Sequence, residues 1–167
     1  MTTLSLVVRP ERAEDAPAIA GLEARAFGPG RFARTAYRLR EGNPHRLDLG
    51  VTASVGSFLV GSVRRSPVRA GAAGFVMLGP LAVDPSFEGR GIGTALTRAS
   101  LAAAGAAGEG VVILVGDAPY YARFGFAPVP PGRLVMPGPV DPARLLWLEL
   151  AEGHAAGLSG LIEPRRG

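Results

Sequence analysis

Cysteine, lysine and glutamine are all missing from the 167 residues of this chain. Without cysteine there is no disulfide framework, no thiolate nucleophile and no Cys-rich metal site, which is compatible with a reducing, cytoplasmic setting. Without lysine there is no P-loop, because that loop ends in Gly-Lys-Ser/Thr. The only histidines, His45 and His154, lie far apart with no partner at ligand spacing. They read as loop or surface residues, so no metal is expected. No apolar run approaches the ~20 residues a membrane span requires, and the N-terminus lacks a basic-then-apolar signal, so no membrane partner is expected.

Every basic residue is an arginine, and the formal net charge is +4. The skew toward arginine, alanine and glycine reflects base composition more than adaptation. A nucleic-acid surface would need arginines gathered on one face with aromatics between them. The densest group, Arg31, Arg34, Arg38, Arg40 and Arg46, reads instead as a solvated face of a helix and loop that is able to border an anionic ligand. No nucleic-acid partner is therefore expected. The length suits one domain over residues 1–167.

What is present is concentrated between Leu78 and Leu96, LGPLAVDPSFEGRGIGTAL. This reads as a buried strand, a turn with glycines at alternate positions, and the start of a helix. Bare N–H groups at a helix N-terminus form a ready anion site. Gly89, Gly91 and Gly93 leave room for an anion and permit the φ values a nest requires. A dinucleotide fingerprint beginning at Gly89 is excluded, because Thr94 stands where its last glycine belongs and no acidic residue follows at the right distance.

A second informative segment is Val111 to Phe126, VVILVGDAPYYARFGF. Its β-branched run is continuous rather than alternating, as in a strand covered on both faces. Asp117 suits an N-cap and Pro119 a first helical turn, which predicts a helix over 118–124.

Elsewhere, Leu4 to Arg9 predicts an opening strand. Ala13 to Phe27 has the apolar spacing of a helix, with Glu14 and Asp15 suiting its first turn. Gly28-Pro29-Gly30 ends it, and Arg34 to Glu41 predicts a shorter helix. Leu47 to Val55 and Ser57 to Val63 predict a hairpin turning near Gly56, followed by a loop from Arg64 to Gly71. Gly74 to Val83 is the central strand, Ile92 to Ala104 a helix with a stripe of Ile92, Leu96 and Ala99, and Leu145 to Leu150 a late strand carrying Trp147 as packing. The tail from Gly153 should be poorly ordered unless something ties it down. Together these predict an α+β (α/β three-layer) domain with a mixed, mostly antiparallel central sheet flanked by helices. The right-handed crossover makes strands 74–83 and 111–115 parallel neighbours.

The two segments resemble motifs of the GNAT superfamily of N-acetyltransferases. Glu88-Gly89-Arg90-Gly91-Ile92-Gly93 is similar to the family's Gln/Arg-x-x-Gly-x-Gly/Ala loop, departing at Glu88. A carboxylate there must point away from a bound diphosphate or be neutralised by a neighbour such as Arg90. Tyr121 stands four residues before Gly125-Phe126, where the family carries a tyrosine. The resemblance spans roughly residues 4 to 150. It implies that strands 74–83 and 111–115 splay apart, and that acetyl-CoA is the co-substrate. Its diphosphate would lie on the amides of Gly89, Arg90, Gly91, Ile92, Gly93 and Thr94, and its pantetheine arm along Leu81, Ala82 and Val83. It further implies direct attack by a primary amine of a small molecule or peptide in a ternary complex, with Tyr121 protonating the leaving thiolate. The central strand offers no carboxylate as a base, and the implied assembly is a homodimer through C-terminal strands. The alternative is a non-catalytic acyl-CoA-binding sensor or partner-binding module.

Overall fold

The continuous apolar runs become the middle of a sheet, because both of its faces are covered. The computed structural model describes residues 5–28, 39–40 and 50–165. In chain order these form β1 (Leu6–Pro10), a 3-10 turn (Ala13–Asp15), α1 (Ala16–Phe27), β2 (Val51–Val55), β3 (Phe58–Ala70), β4 (Ala73–Val83), α2 (Ile92–Ala106) and β5 (Val111–Val115). Then follow α3 (Ala118–Tyr121) with a 3-10 turn (Ala122–Phe124), β6 (Ala127–Pro128), β7 (Leu134–Val135), β8 (Leu145–Glu149) and β9 (Gly160–Pro164). The strands run β1-β2-β3-β4-β5-β8-β6, with β9 paired to β3 and β7. Pairing is antiparallel except between β4 and β5 and between β7 and β9. This is the mixed, mostly antiparallel sheet that the sequence predicts.

Alternation along β4 and β5 splits the core in two. Val76, Leu78, Val112 and Leu114 join a cluster with Ile92, Leu96 and Ala104 of α2. Phe75, Met77, Val111 and Ile113 join a second cluster with Leu134, Leu145, Leu158 and Ile162. The spacing predicted for α2 holds at Ile92 and Leu96, while Thr97, Ser100 and Ala104 complete its buried face and Ala99 is only partly buried. Gly61 of β3 lets this helix approach. A Cβ there would stand 2.7 Å from Leu96 Cδ1 and 2.9 Å from Ile92 Cγ2. The first turns of α2 are thus seated on the sheet by the lack of one side chain.

Two expectations are corrected. The stretch Arg64 to Gly71 is not a loop, because β3 continues to Ala70. Two of its arginines find partners across the fold: Arg64 pairs with Glu11 at 3.1 Å, and the buried Arg65 donates from Nε to Ser100 Oγ at 2.6 Å while its two terminal nitrogens have no acceptor among the described residues. Pro67, which lacks an N–H, still accepts from the Arg165 amide through its carbonyl. Asp15 is not in the first turn of α1 but is its N-cap, and its carboxylate takes the Arg9 guanidinium and the Arg12 amide, both at 2.7 Å. The Arg9 hydrogen bond chiefly holds that carboxyl below its ordinary range.

The tail is tied down. Gly160–Pro164 pairs as β9, and Arg133 donates to the carbonyls of Ala155, Ala156 and Leu158. The helix predicted over Arg34 to Glu41 falls outside the described residues, apart from a turn at 39–40. Leu4 and residues 47–49 of the predicted strands also lie outside them.

Candidate active site

β4 is paired on both sides for only part of its length. Against β5 the ladder consists of Val76 with Val112 and Met77 with Ile113, and β4 runs on to Val83 without β5. On the opposite side, β3 accompanies β4 to its end, with a register shift at Gly79-Pro80 opposite Arg64 that adds one residue to β4. Asp84 N donates to Val60 O at 2.8 Å. By the alternation of an antiparallel ladder, Ala82 therefore spends its main-chain groups on Ser62 of β3. Leu81 and Val83 direct theirs into the gap that β5 has left.

The glycine loop delivers the start of α2 to the same place. Gly89 and Gly91 have φ of 76° and 78°, a region that side chains with a Cβ rarely adopt. Gly93 does not share it. It is helical, and its lack of a side chain matters for space: a Cβ would lie 3.3 Å from the Tyr120 hydroxyl, 3.8 Å from Val83 and 4.0 Å from Leu81. α2 has Gly91 as its N-cap, with no side-chain cap, and its first intrahelical bond is Ala95 N to Gly91 O at 3.0 Å. The amides of Ile92, Gly93 and Thr94 consequently have no partner within the helix, and they carry the positive end of its dipole.

Two adjacent tyrosines have different surroundings. Asp117 caps α3 by accepting from the Tyr120 amide at 3.3 Å, as the sequence predicts. The Tyr120 hydroxyl lies 3.2 Å from Thr94 Oγ1, at the helix N-terminus. The Tyr121 ring lies over the end of β5, where a Cβ on Gly116 would come within 2.5 Å of its Cε2. It packs edge-on against Tyr120 at 4.9 Å and near Phe126 at 5.9 Å. Burial pushes the Tyr121 phenol up to about 12, with the Tyr120 phenol adding to the rise.

A cleft of about 510 Å³ joins these parts. It is lined by Leu81, Val83, Gly89, Gly91, Ile92, Gly93 and Thr94, all anticipated from the sequence, and by Glu88. Ala82, Arg90 and Tyr121 lie off that lining. Arg90 stacks on Phe87, its Cζ 5.0 Å from the ring centre, and among the described residues no ion pair reaches Glu88. Of the two alternatives for Glu88, neutralisation by Arg90 is not found, because that guanidinium is on Phe87.

Sequence reasoning missed Ala26 and Phe27, which end α1 and reach the cleft only through the fold, and Tyr120 and Arg123, which sit beside Tyr121 in a segment already singled out. Among the described residues, no three His, Asp or Glu side chains converge to hold a metal. No described helix is long and apolar enough to cross a membrane.

A family described as an acetyltransferase (GNAT) domain matches residues 52–128. The N-acetyltransferase YhbS of Escherichia coli strain K12 is 31% identical over 160 residues, covering 95% of each chain. The crystal structure of Escherichia coli YhbS in complex with CoA matches with a TM-score of 0.83 at 30% identity, covering 99% of this chain and 92% of that one. A GNAT family acetyltransferase from Brucella melitensis, in complex with acetyl-CoA, matches with a TM-score of 0.63 at 29% identity, covering 86% of this chain and 96% of that one.

Proposed function

This chain belongs to the GNAT family of N-acetyltransferases, and from that premise we propose how its cleft moves an acetyl group from acetyl-CoA to a primary amine. One observation carries the reading: an uncapped helix N-terminus and an unpaired strand edge open into the same cleft. The residues fit the donor. The amides of Ile92, Gly93 and Thr94 suit a diphosphate, and the bare Gly93 keeps the passage beside Tyr120 open. Gly89 and Gly91 give the loop its left-handed turns, and Arg90 supplies an amide on the same loop. Leu81 and Val83 offer main-chain groups to the amides of the pantetheine arm, in the manner of an added strand, while Ala82 holds that edge to β3.

When bound, acetyl-CoA supplies an activated thioester to an attacking amine. The protein's contribution is to align the two, to exclude water and to give a proton to the departing thiolate. Tyr121 is the donor in this proposal. Its ring borders the end of β5, which is the far wall of the gap, and its phenol is protonated at neutral pH, as an ordinary phenol is, with burial raising its pKa further.

The acceptor is the amine of a small molecule or peptide. Residues 1–167 act as a single domain, in a cytoplasmic setting. A homodimer through the C-terminal strands fits the exposed Val135 and Leu161, register partners on β7 and β9 that are 50% and 47% accessible. Titration calorimetry with acetyl-CoA, followed by thiol release against a panel of amines, tests the reading. Binding with turnover is expected, binding without turnover points to an acyl-CoA sensor, and no binding overturns the donor assignment.

A further inference from the structure

The phosphate end of the cleft holds an electrostatic problem. Glu88 lines the cleft beside the α2 N-terminus, so an anion seated on those amides shares the cleft with an acidic residue. The cation nearest in sequence, Arg90, stacks on Phe87 and is not part of the lining. Arg123 is part of it. Its side chain is fixed at two points: Nε donates to Tyr120 O at 2.9 Å, and Cζ lies 4.3 Å from the centre of the Tyr120 ring. Among the described residues no carboxylate pairs with it, and its two terminal nitrogens have no acceptor. Tyr120 in turn reaches Thr94, the third residue of α2, through its hydroxyl. One ring thus holds a guanidinium beside the free amides of the helix.

Resting on the acetyl-CoA reading above, we propose that Arg123 is a phosphate ligand. Its terminal N–H groups meet an oxygen of the CoA diphosphate, offset Glu88, and make the cleft select phosphate-bearing thioesters over bare pantetheine. Tyr120 is the positioning residue, its ring face holding the guanidinium and its hydroxyl holding the Thr94 side of the cleft. A planar guanidinium suits this position because it stacks on a ring while leaving its outer N–H groups free.

The test is calorimetric titration of CoA, dephospho-CoA and pantetheine into wild type, Arg123→Gln and Tyr120→Leu. Wild type must bind CoA, and failure there sinks the donor assignment rather than the role of Arg123. Arg123 is exposed, so Arg123→Gln should melt as wild type does. It should weaken CoA and dephospho-CoA alike by about 10- to 100-fold, as expected for a charged hydrogen bond, and leave pantetheine unchanged. Tyr120→Leu should show a smaller loss of the same pattern. Arg123→Gln binding CoA within about twofold of wild type overturns the proposal. So does a loss confined to CoA, which would put Arg123 on the 3′-phosphate, and so does an equal loss for pantetheine, which would mean a distorted cleft.

Discussion

The two halves of β4 are made of similar residues and have opposite fates. Phe75 to Leu78 is buried, with β3 on one side and β5 on the other over Val76 and Met77. Gly79 to Val83 keeps β3 but lacks β5, and its Leu81 and Val83 are only partly covered. In the first half Val76 and Met77 have a strand on either side and the Phe75 carbonyl accepts from Arg165, so a mutation there alters mainly side-chain packing. In the second half a row of main-chain groups is left over, and a ligand of extended shape can complete the ladder. The same strand is core at one end and, in the proposed function, recognition surface at the other, and its neighbour is what differs.

The largest effect should come from the paired half. Phe75→Ala removes a fully buried ring and is expected to cost about 3–5 kcal/mol of stability, read from the midpoint of a denaturant titration. Acetyl-CoA affinity of the folded fraction should hardly move. If stability and affinity fall together, the two halves are not separable and the contrast fails.

Gly93→Val attacks the open half by the reverse route. The residue is helical, so the fold should survive, but the new methyls enter the space bounded by Tyr120, Val83 and Leu81. Acetyl-CoA affinity should fall about a hundredfold, near 2.8 kcal/mol, with little change in melting temperature. Retained affinity would remove the α2 N-terminus from the binding site.

The tyrosines sharpen the comparison at the chemical step. Tyr121→Phe should lower kcat about thirtyfold with KM for acetyl-CoA nearly constant, somewhat below the usual general-acid range because water can replace the phenol. Tyr120→Phe should raise KM more than it lowers kcat, since its hydroxyl serves Thr94. The reversed pattern would exchange the two roles.

Burial raises the Tyr121 pKa from 10.0 to about 12, so the folded protein keeps a proton that the unfolded chain gives up. Its stabilising contribution is therefore intact below pH 10 and is lost as pH rises toward 12. Tyr121→Phe should flatten that part of the stability profile, and in the wild type the acid should stay competent over the same range.

The smallest effect belongs to Glu88. This exposed carboxylate lines the phosphate end, so Glu88→Gln should tighten acetyl-CoA by about threefold, and less at high salt. No change at low salt would mean that its charge is turned to solvent.

The glycine loop and the Tyr121 segment were legible in the sequence because local rules govern them. Gly89 and Gly91 answer to left-handed φ, Asp117 to a cap, and Val111–Val115 to burial on both faces. Arg64 to Ala70 was misread because polarity suggests a loop. Membership in a strand instead depends on partners distant in the chain, such as Ser100 for Arg65 and Glu163 for Arg69. Tyr120 and Arg123 stood in plain view, but nothing local says which of two adjacent rings faces a cleft.

By itself the sequence determined the elements with short-range causes: the starts of α2 and α3, the left-handed turns at Gly89 and Gly91, and the two strands joined by a crossover through α2. Tertiary structure decided where β4 and β5 part: their ladder stops at Met77 and Ile113, two residues before the register shift at Gly79-Pro80, and the Tyr121 ring lies over Gly116. It also decided that the end of α1 closes one side of the cleft, and that Arg123 rather than Arg90 lines it. The reason is physical. Caps, turns and periodicity are fixed by atoms within a few residues, whereas an open strand edge and the sign of charge in a cleft are sums over segments that meet only when the chain folds.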